Sequence, residues 1–268
     1  MLKYKKRLLP RVDYPLLYAH RGCSTAAPEN TLPAFRKVKE FGIPGVELDV
    51  QLCSTGELMV FHDSNLKRTT GLDAELADTD YKTLRELDAG AWFGKEFSGE
   101  KIPTFEEVLD CLGEAVYYDI EIKNWDRRKF PIEQALISII RKRGIGDRVV
   151  VTSFNPYSLR AVKRLNPEIK TALIYTKHPG FPAWLNRGAG RFICRPHYLK
   201  PNRHRLNPFV VFWKKKILGY PLVTWTEDDE DAVRHYLELG VDGIISNQPE
   251  KFLGMIREFS NKRTTPGT

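Results

Sequence analysis

The sequence predicts an α/β fold: a TIM-type (β/α)8 barrel with a short insertion after an antiparallel hairpin that follows the second barrel strand. Short β-rich runs alternate with helical runs along the chain, which is typical of a parallel sheet covered by helices. The length of 268 residues fits either two small domains or one large barrel. One connection between candidate strands is too short for a parallel crossover, so one strand leaves the barrel and eight remain to close it.

The candidate elements follow each other in regular alternation. The strand candidates are Leu16–Ala19, Gly45–Leu52, Leu58–His62, Val116–Lys123, Arg148–Phe154, Thr171–Thr176, Arg191–Arg195, Leu222–Thr226 and Gly243–Ser246. The helix candidates are Thr31–Phe41, Thr104–Cys111, Ile132–Arg143, Pro156–Leu165 and Glu227–Leu239.

The exception is the link between the second and third strand candidates. Residues 53–57 contain Gly56 and are far fewer than the dozen that a parallel crossover needs. They predict a hairpin turn, which makes Leu58–His62 an antiparallel excursion from the second barrel strand. Pairing back along that strand brings His62 level with Leu48 or Asp49. A one-residue change of register decides whether His62 shares the face of the acidic residues there.

The remaining segments set the domain organisation. We expect residues 1–260 to form one domain, with residues 64–101 as an insertion packed over one end of the barrel. Aromatic residues and glycines in this insertion predict a lid or a segment that contacts substrate. The polar residues 261–268 predict a disordered tail. The basic first residues resemble the start of a signal peptide, but Pro10, Arg11 and Asp13 interrupt the apolar stretch that would have to follow, which predicts a cytoplasmic protein.

The composition restricts the partners. A net charge of +8 suits an anionic substrate or a negatively charged membrane surface, although it equally suits generic solubility. Lys214–Lys216 could contact lipid headgroups as a peripheral membrane site, or could form a solvated helix face. No nucleic-acid-binding module is recognisable. The four cysteines are widely spaced and lack a C-x-x-C pair, which argues against a zinc ribbon or a disulfide scaffold.

A catalytic pair of histidines is the first candidate for chemistry. His20 and Arg21 end the first strand, and active sites of such barrels lie at the carboxyl ends of the strands. A lone histidine there would more often be structural, but His62 supplies a second proton-transfer group. Arg21 beside His20 can bind an oxyanion. The spacing therefore predicts that His20 and His62 are catalytic and that Arg21 contacts an anionic substrate.

Carboxylates on two strands predict a metal site. Glu47 and Asp49 flank Leu48 on the second barrel strand, so both point into the barrel. Glu121 and Lys123 share a face of the third barrel strand. Salt bridges would explain each strand alone, but together Glu47, Asp49 and Glu121 form an oxygen-rich set suited to one Mg²⁺ or Ca²⁺. Lys123 would then face a phosphate.

Other strand ends offer weaker candidates. Trp225 could form a wall of the substrate pocket or simply fill the core, and Arg195 ends a strand candidate where it could be a second anion contact. Glu29 could position Arg21. We assign Asn30 to the start of the first helix rather than to catalysis.

Nine ordered segments resemble the glycerophosphodiester phosphodiesterase family. They are Ala19-His20-Arg21-Gly22, Pro28-Glu29-Asn30-Thr31, Val46-Glu47-Leu48-Asp49-Val50, Val60-Phe61-His62-Asp63, Arg68-Thr69-Thr70, Ile102-Pro103-Thr104, Ile120-Glu121-Ile122-Lys123, Thr224-Trp225-Thr226 and Gly240-Val241-Asp242-Gly243-Ile244-Ile245. The resemblance implies a TIM-type barrel that hydrolyses glycerophosphodiesters to glycerol 3-phosphate and an alcohol. It also implies that Glu47, Asp49 and Glu121 hold a divalent ion, that His20 and His62 are the acid–base pair, and that Arg21 and Lys123 contact the phosphate.

The sequence departs from the family pattern at three places, and one of them, a basic segment, puts the identity of the substrate in question. The hairpin turn reads Cys53-Ser54-Thr55-Gly56 instead of Thr-Lys-Asp-Gly, the last strand ends in Ser246-Asn247 instead of Thr-Asp, and residues 196–220 are unusually basic. The basic segment and the aromatic insertion suggest an alternative, a lysophospholipase D-like activity on single-chain phospholipids. An alternative from a different class is a noncatalytic binder of glycerophosphodiesters. We assign His20 as the acid and His62 as the base, with the reverse still open. The nucleophile could be water or the 2-hydroxyl of the substrate, and the sequence indicates no oligomeric state.

Overall fold

Eight parallel strands and one antiparallel strand form the sheet in the computed structural model, which describes residues 15–177 and 183–264, with side chains to residue 260. The strands are β1 (Leu16–His20), β2 (Gly45–Leu52), β3 (Leu58–Val60), β4 (Tyr117–Ile122), β5 (Val149–Ser153), β6 (Lys170–Tyr175), β7 (Tyr198–Pro201), β8 (Val223–Thr224) and β9 (Gly243–Ser246).

The parallel strands form a nearly closed barrel in the order β7-β6-β5-β4-β2-β1-β9-β8. Single parallel bridges from Leu199 to Leu222 and from Asn202 to Trp225 connect β7 with β8. The predicted fold class, a TIM-type barrel of eight parallel strands, is confirmed.

The β2–β3 hairpin leaves the barrel as predicted. β3 is antiparallel to β2 and pairs Val60 with Val50 and Leu58 with Leu52. Beyond β3, the Phe61 N–H donates to the Asp49 carbonyl at 3.0 Å. This register brings His62 level with Leu48.

Helices cover the outside of the barrel and connect its strands. They are α1 (Leu32–Glu40), α2 (Lys67–Thr70), α3 (Tyr81–Glu86), α4 (Phe105–Leu112), α5 (Pro131–Arg143), α6 (Pro156–Leu165), α7 (Arg191–Cys194), α8 (Pro208–Phe212), α9 (Glu230–Leu239) and α10 (Leu253–Thr264). The alternation of β2 decides what faces the helices: Val46, Leu48 and Val50 belong to the outer hydrophobic core, which leaves Glu47 and Asp49 inside the barrel.

The insertion at residues 64–101 has a small hydrophobic cluster of its own. Leu66, Leu76 and Leu84 are fully buried against Met59 and Phe61 of the hairpin. The insertion is therefore held to the hairpin that carries His62.

One predicted strand is wrong. Residues 191–194 form the one-turn helix α7, and the strand comes later, at Tyr198–Pro201. The apolar run Phe192-Ile193-Cys194 resembles a strand, but Cys194 is the member of that run that is buried. The true strand carries Lys200 on its inner face, where a sequence pattern predicts an apolar residue.

Arg195 consequently does not end a barrel strand. It follows α7 with a φ of 45° and precedes β7, and its carbonyl accepts a hydrogen bond from Lys163 at 2.6 Å. The neighbouring His197 accepts from the Thr171 N–H at the start of β6. Both residues lie at the amino ends of the strands, opposite to His20, so the prediction that Arg195 points to the barrel mouth is wrong.

The ends of the chain are described only in part. Helix α10 continues to Thr264, inside the segment predicted as a disordered tail, and residues 265–268 lie outside the described residues. The predicted cytosolic start, in residues 1–14, also lies outside them. Within the described ranges, no helix has the length and apolar character needed to span a bilayer.

Candidate active site

The predicted site residues meet at the carboxyl ends of three adjacent strands. His20 ends β1, Glu47 and Asp49 lie on β2, and Glu121 lies opposite Asp49 in the β2–β4 register. Glu47 is likewise paired with His20 in the β1–β2 register. The side chains therefore converge because the parallel strands are in register and their inward-facing residues stack in layers.

Three buried carboxylates form a compact acidic cluster. One oxygen each from Glu47, Asp49 and Glu121 lies within 4.8 Å of the others. Lys123 Nζ lies 3.0 Å from Asp49 Oδ1 and 2.6 Å from Glu121 Oε1, and Arg21 Nε lies 3.5 Å from Asp49 Oδ2. Two positively charged side chains, Lys123 and Arg21, thus contact the cluster.

The electrostatics of the cluster favour a cation. Burial raises the pKa of Glu47 well above its usual range, and the negative charge of Asp49 adds to this shift. Burial also opposes the ionisation of Asp49, but Lys123 and Arg21 outweigh it and lower the pKa of Asp49. A divalent ion would relieve the repulsion between these acids, and three hard oxygen donors are what Mg²⁺ and Ca²⁺ bind. The cluster therefore fits a divalent metal ion.

His20 is held in one orientation from its Nδ1 side. Nδ1 lies 2.7 Å from Asn247 Oδ1, and Nε2 lies 3.9 Å from Glu47 Oε2. Asn247 Nδ2 in turn donates to Asp228 at 2.6 Å, which fixes the orientation of the amide. Burial lowers the pKa of His20 to about 4, with a contribution from the positive charge of Arg21. This shift favours the neutral form of the His20 imidazole at physiological pH.

His62 reaches the same mouth on the segment after β3. Its Nδ1 lies 2.6 Å from Asp63 Oδ1. Gln51 Nε2 donates to the carbonyl oxygens of Phe61 and Asp63 at 2.9 and 2.8 Å, and this amide fixes the backbone on both sides of His62.

A series of ion pairs connects Arg21 with Asp63, the hydrogen-bond partner of His62. Arg21 donates to Glu29 at 2.8 Å, Arg68 donates to Glu29 at 2.6 Å, and the Arg68 Nε donates to Asp63 at 2.5 Å. Burial opposes ionisation of Glu29, but the hydrogen bond from Arg68 and the charge of Arg21 lower its pKa. The expectation that Glu29 positions Arg21 agrees with these contacts.

The backbone around Arg21 is strained. Arg21 has a φ of 58° and Asn30 a φ of 55°, in the left-handed region that few non-glycine residues adopt. The Asn30 N–H donates to the Arg21 carbonyl at 2.9 Å, which joins the two residues. Such conformations persist where surrounding contacts determine them, and they cluster at functional sites.

A cleft of about 910 Å³ opens beside this cluster. Its lining includes His62, Lys123 and Arg68 on the polar side and Trp125 and Phe154 on the aromatic side. Trp225 packs edge-to-face on Phe154 at 5.7 Å and donates its Nε1–H to the Lys200 carbonyl at 3.0 Å. Trp225 thus packs against the aromatic wall and is not itself among the residues that line the cleft.

Several residues of the site were assigned otherwise or not singled out from the sequence. Asn30 was assigned to the start of α1, but its side chain donates to Asp49 at 2.9 Å. Asn247, Asp228, Gln51 and Arg68 act through tertiary contacts that no short spacing indicates. Two of them had a signal in the sequence: Arg68 lies in a segment that resembles the family, and Asn247 departs from the family pattern. Neither signal indicated which residue the side chain contacts.

Comparison with known proteins identifies the family. The sequence model of the glycerophosphoryl diester phosphodiesterase family matches residues 20–251. This chain belongs to that family. The match spans every residue of the acidic cluster and both histidines, and the chain is accordingly a phosphoric diester hydrolase, as predicted.

Individual relatives agree with this assignment. A glycerophosphodiester phosphodiesterase from Caldanaerobacter subterraneus is 37% identical over 244 residues, which cover 91% of this chain and 98% of the relative. An Oleispira antarctica phosphodiesterase, solved in complex with the product sn-glycerol-3-phosphate, is 30% identical with a TM-score of 0.82, and the match covers 91% of this chain and 97% of that one.

Proposed function

We propose that this enzyme hydrolyses glycerophosphodiesters to glycerol 3-phosphate and an alcohol, with Mg²⁺ or Ca²⁺ held by Glu47, Asp49 and Glu121. The observation that carries the proposal is the convergence of three buried carboxylates, two positively charged side chains and two histidines at one end of the barrel. The product recorded in the Oleispira relative supports glycerol 3-phosphate as the phosphate-containing product.

Three groups would stabilise the negative charge on the phosphate. The divalent ion would polarise a phosphate oxygen and so make the phosphorus more electrophilic. Arg21 and Lys123 are fixed cations next to the cluster, and they stabilise the negative charge that develops in the transition state. Burial would lower the pKa of Lys123, but Asp49 and Glu121 outweigh it and raise that pKa, so Lys123 stays charged.

The hydrogen bonds support His20 as the general base. Because Asn247 Nδ2 faces the Asp228 carboxylate, Asn247 presents its oxygen to His20, and Nδ1 of His20 must carry the proton. The neutral ring then has an unprotonated Nε2 that can accept a proton from the nucleophile. This is the reverse of the assignment made from the sequence.

His62 is then the general acid. Asp63 accepts from its Nδ1, and the carboxylate can balance the charge of an imidazolium. A protonated His62 Nε2 can donate to the alkoxide of the departing alcohol. The half-exposed position of His62 at the cleft suits contact with a leaving group that extends toward solvent.

A change of leaving group tests this division of roles. On glycerophosphocholine, both His20→Ala and His62→Ala should lower kcat by about two to four orders of magnitude. On glycerophospho-p-nitrophenol, whose leaving group needs no proton, His62→Ala should recover most of the rate and His20→Ala should not. Recovery by His20→Ala instead would assign the acid to His20, and near-normal turnover of either variant on glycerophosphocholine would refute two-histidine catalysis.

The aromatic wall gives one reason to test a second substrate class. Trp125 and Phe154 stack at 6.1 Å between ring centres along the cleft, a surface that would accept an acyl chain. If single-chain phospholipids are substrates, lysophosphatidylcholine should be cleaved with a kcat/KM at least equal to that of glycerophosphocholine. Replacement of Trp125 by alanine should then reduce kcat/KM for the lipid alone.

A further inference from the structure

The positive charge of the chain is concentrated in one segment. Between Glu168 and Glu227 the sequence contains eleven lysines and arginines and no acidic residue. The net charge of the whole chain is +8, so the rest of the chain carries a net charge of −3. The segment spans β6 to β8 and the helices between them.

The same segment exposes apolar side chains on an outward helix face. Phe209, Phe212 and Trp213 recur at helical spacing along α8 and the π-helical turn 213–217, and Phe209 is 70% exposed. Val211 faces inward and is buried. Phe209 and Trp213 stack on each other with ring centres 6.3 Å apart. The aromatic side of α8 therefore faces outward and has no packing partner among the described residues of the barrel.

Part of the β6–β7 connection contacts the turn that precedes this helix. Arg205 donates to the Asn186 carbonyl at 2.6 Å, which joins the two stretches. Phe192 is 73% exposed, and the Arg191 guanidinium lies 4.2 Å from the centre of its ring. Lys214 lies near Arg191, and its pKa is lowered to about 8 by burial and by that positive charge.

We propose that this surface docks the enzyme on a bilayer containing anionic lipids. The basic aromatic surface consists of Arg191, Phe192, Phe209, Phe212, Trp213 and Lys216. Contiguous exposed apolar side chains usually mark an interaction site. Phenylalanine and tryptophan with flanking lysine and arginine are the composition of helices that lie in the membrane interface.

The charge pattern favours a lipid surface over other partners. A uniformly basic segment is attracted to any dense layer of negative charges, and attraction by anionic lipids increases with each lysine or arginine near the surface. Ile217, 53% exposed beside the aromatic residues, can enter an acyl layer but cannot stack on a nucleic-acid base. Lys215 is turned inward to Asp242 at 2.7 Å, whereas Lys216 is exposed.

Vesicle cosedimentation tests the proposal. The full chain should pellet with phosphatidylglycerol–phosphatidylcholine vesicles and stay in the supernatant with pure phosphatidylcholine, and 0.5 M salt should weaken binding. Phe209→Ser combined with Phe212→Ser should reduce vesicle affinity about tenfold or more. Lys216→Glu should reduce it about fivefold or more.

Lys82→Glu is the matched control, because it changes the net charge equally on the exposed face of α3. It should alter affinity by less than about twofold. All variants should hydrolyse soluble glycerophosphocholine at the wild-type rate, which confirms that they fold.

Four results would overturn the proposal. They are no binding of the wild type to anionic vesicles, equal losses from Lys216→Glu and Lys82→Glu, tighter binding to single-stranded RNA than to vesicles, and a solution dimer that the double serine variant dissociates. The last two would assign the surface to a nucleic acid or to a second copy of the chain.

Discussion

Asn247 is the residue from which we infer which nitrogen of His20 carries the proton. Its amide lies between Asp228 and His20 with distances of 2.6 and 2.7 Å, so its orientation is set from the Asp228 side. The residue is not adjacent to any other site residue in sequence. The role of His20 therefore depends on a contact between the first and last strands of the barrel.

Asn247→Asp should shift the pH dependence of the enzyme. A carboxylate beside Nδ1 stabilises the imidazolium and raises the pKa of His20 from about 4. Because the base must be neutral, the acid limb of the kcat/KM profile should move to higher pH. Ser24 donates to the same Asn247 oxygen at 3.2 Å, and Ser24→Ala should leave the limb in place because it adds no charge. An Asn247→Asp limb that stays fixed or moves to lower pH would contradict His20 as base.

Arg68 connects the two halves of the site. Its guanidinium contacts Glu29, which holds Arg21, and Asp63, which holds His62. Arg68→Met should lower kcat about tenfold or more because both partners lose their position. Arg68→Lys keeps the charge but cannot form both contacts at once, so its kcat should be intermediate. A wild-type kcat for Arg68→Met would show that the series of ion pairs has no catalytic role.

At the scale of elements, the hairpin is the part that the sequence predicts best. The five residues between β2 and β3 exclude a crossover, and the antiparallel pairing follows. The register did not follow from the sequence, because the contacts of Gln51 with the carbonyls near His62 are tertiary. An amide side chain on a barrel strand gives no local indication of which backbone it will bind.

Gln51→Leu should therefore release the backbone on both sides of His62, so that the imidazole is no longer held in position. The carbonyls of Phe61 and Asp63 lose a donor, so the free energy of unfolding should fall by about 1–3 kcal/mol. We expect kcat to fall more than KM rises, because the proposed role of His62 is in the chemical step. Gln134→Leu, on the exposed face of α5, is the control and should change neither quantity. If Gln51→Leu is destabilised but keeps the wild-type kcat, the hairpin does not position His62.

The wrong strand at residues 191–195 shows where sequence patterns fail. A run of phenylalanine, isoleucine and cysteine resembles a buried strand, while the real strand β7 contains a buried lysine. Lys200 is tolerated inside the barrel because Asp119 accepts from it at 2.7 Å across the interior. Such a pairing becomes visible only when the barrel is closed. Arg195 was misplaced because it was assigned to the end of this wrongly predicted strand.

At the scale of the whole molecule, the proposed metal site would couple cation binding to stability. The three carboxylates come from β2 and β4, so the site exists only when the barrel is folded. A divalent ion at 100 times its Kd should raise the free energy of unfolding by about 2.7 kcal/mol. Because the pKa of Glu47 is raised without a cation, binding should release a proton and tighten as pH rises.

Thermal unfolding with chelator and with saturating Mg²⁺ or Ca²⁺ measures this effect. Tm should rise with the cation in the wild type and much less in Glu121→Gln, which removes one charged ligand. Equal Tm values for chelated and cation-saturated wild type would show that the cluster does not bind the ion in the native state.

The central claim is that the three carboxylates with their divalent ion, the side chains of Arg21 and Lys123, and the histidine pair act together on a glycerophosphodiester. The most direct test is the release of glycerol 3-phosphate from glycerophosphocholine by chelated protein before and after addition of Mg²⁺ or Ca²⁺, with the wild type and His20→Ala measured side by side. We predict that the chelated wild type is inactive, that one of the two ions restores turnover, and that His20→Ala stays about two to four orders of magnitude slower with the ion present. Full turnover of the chelated enzyme, or near-normal turnover of His20→Ala, would contradict this account.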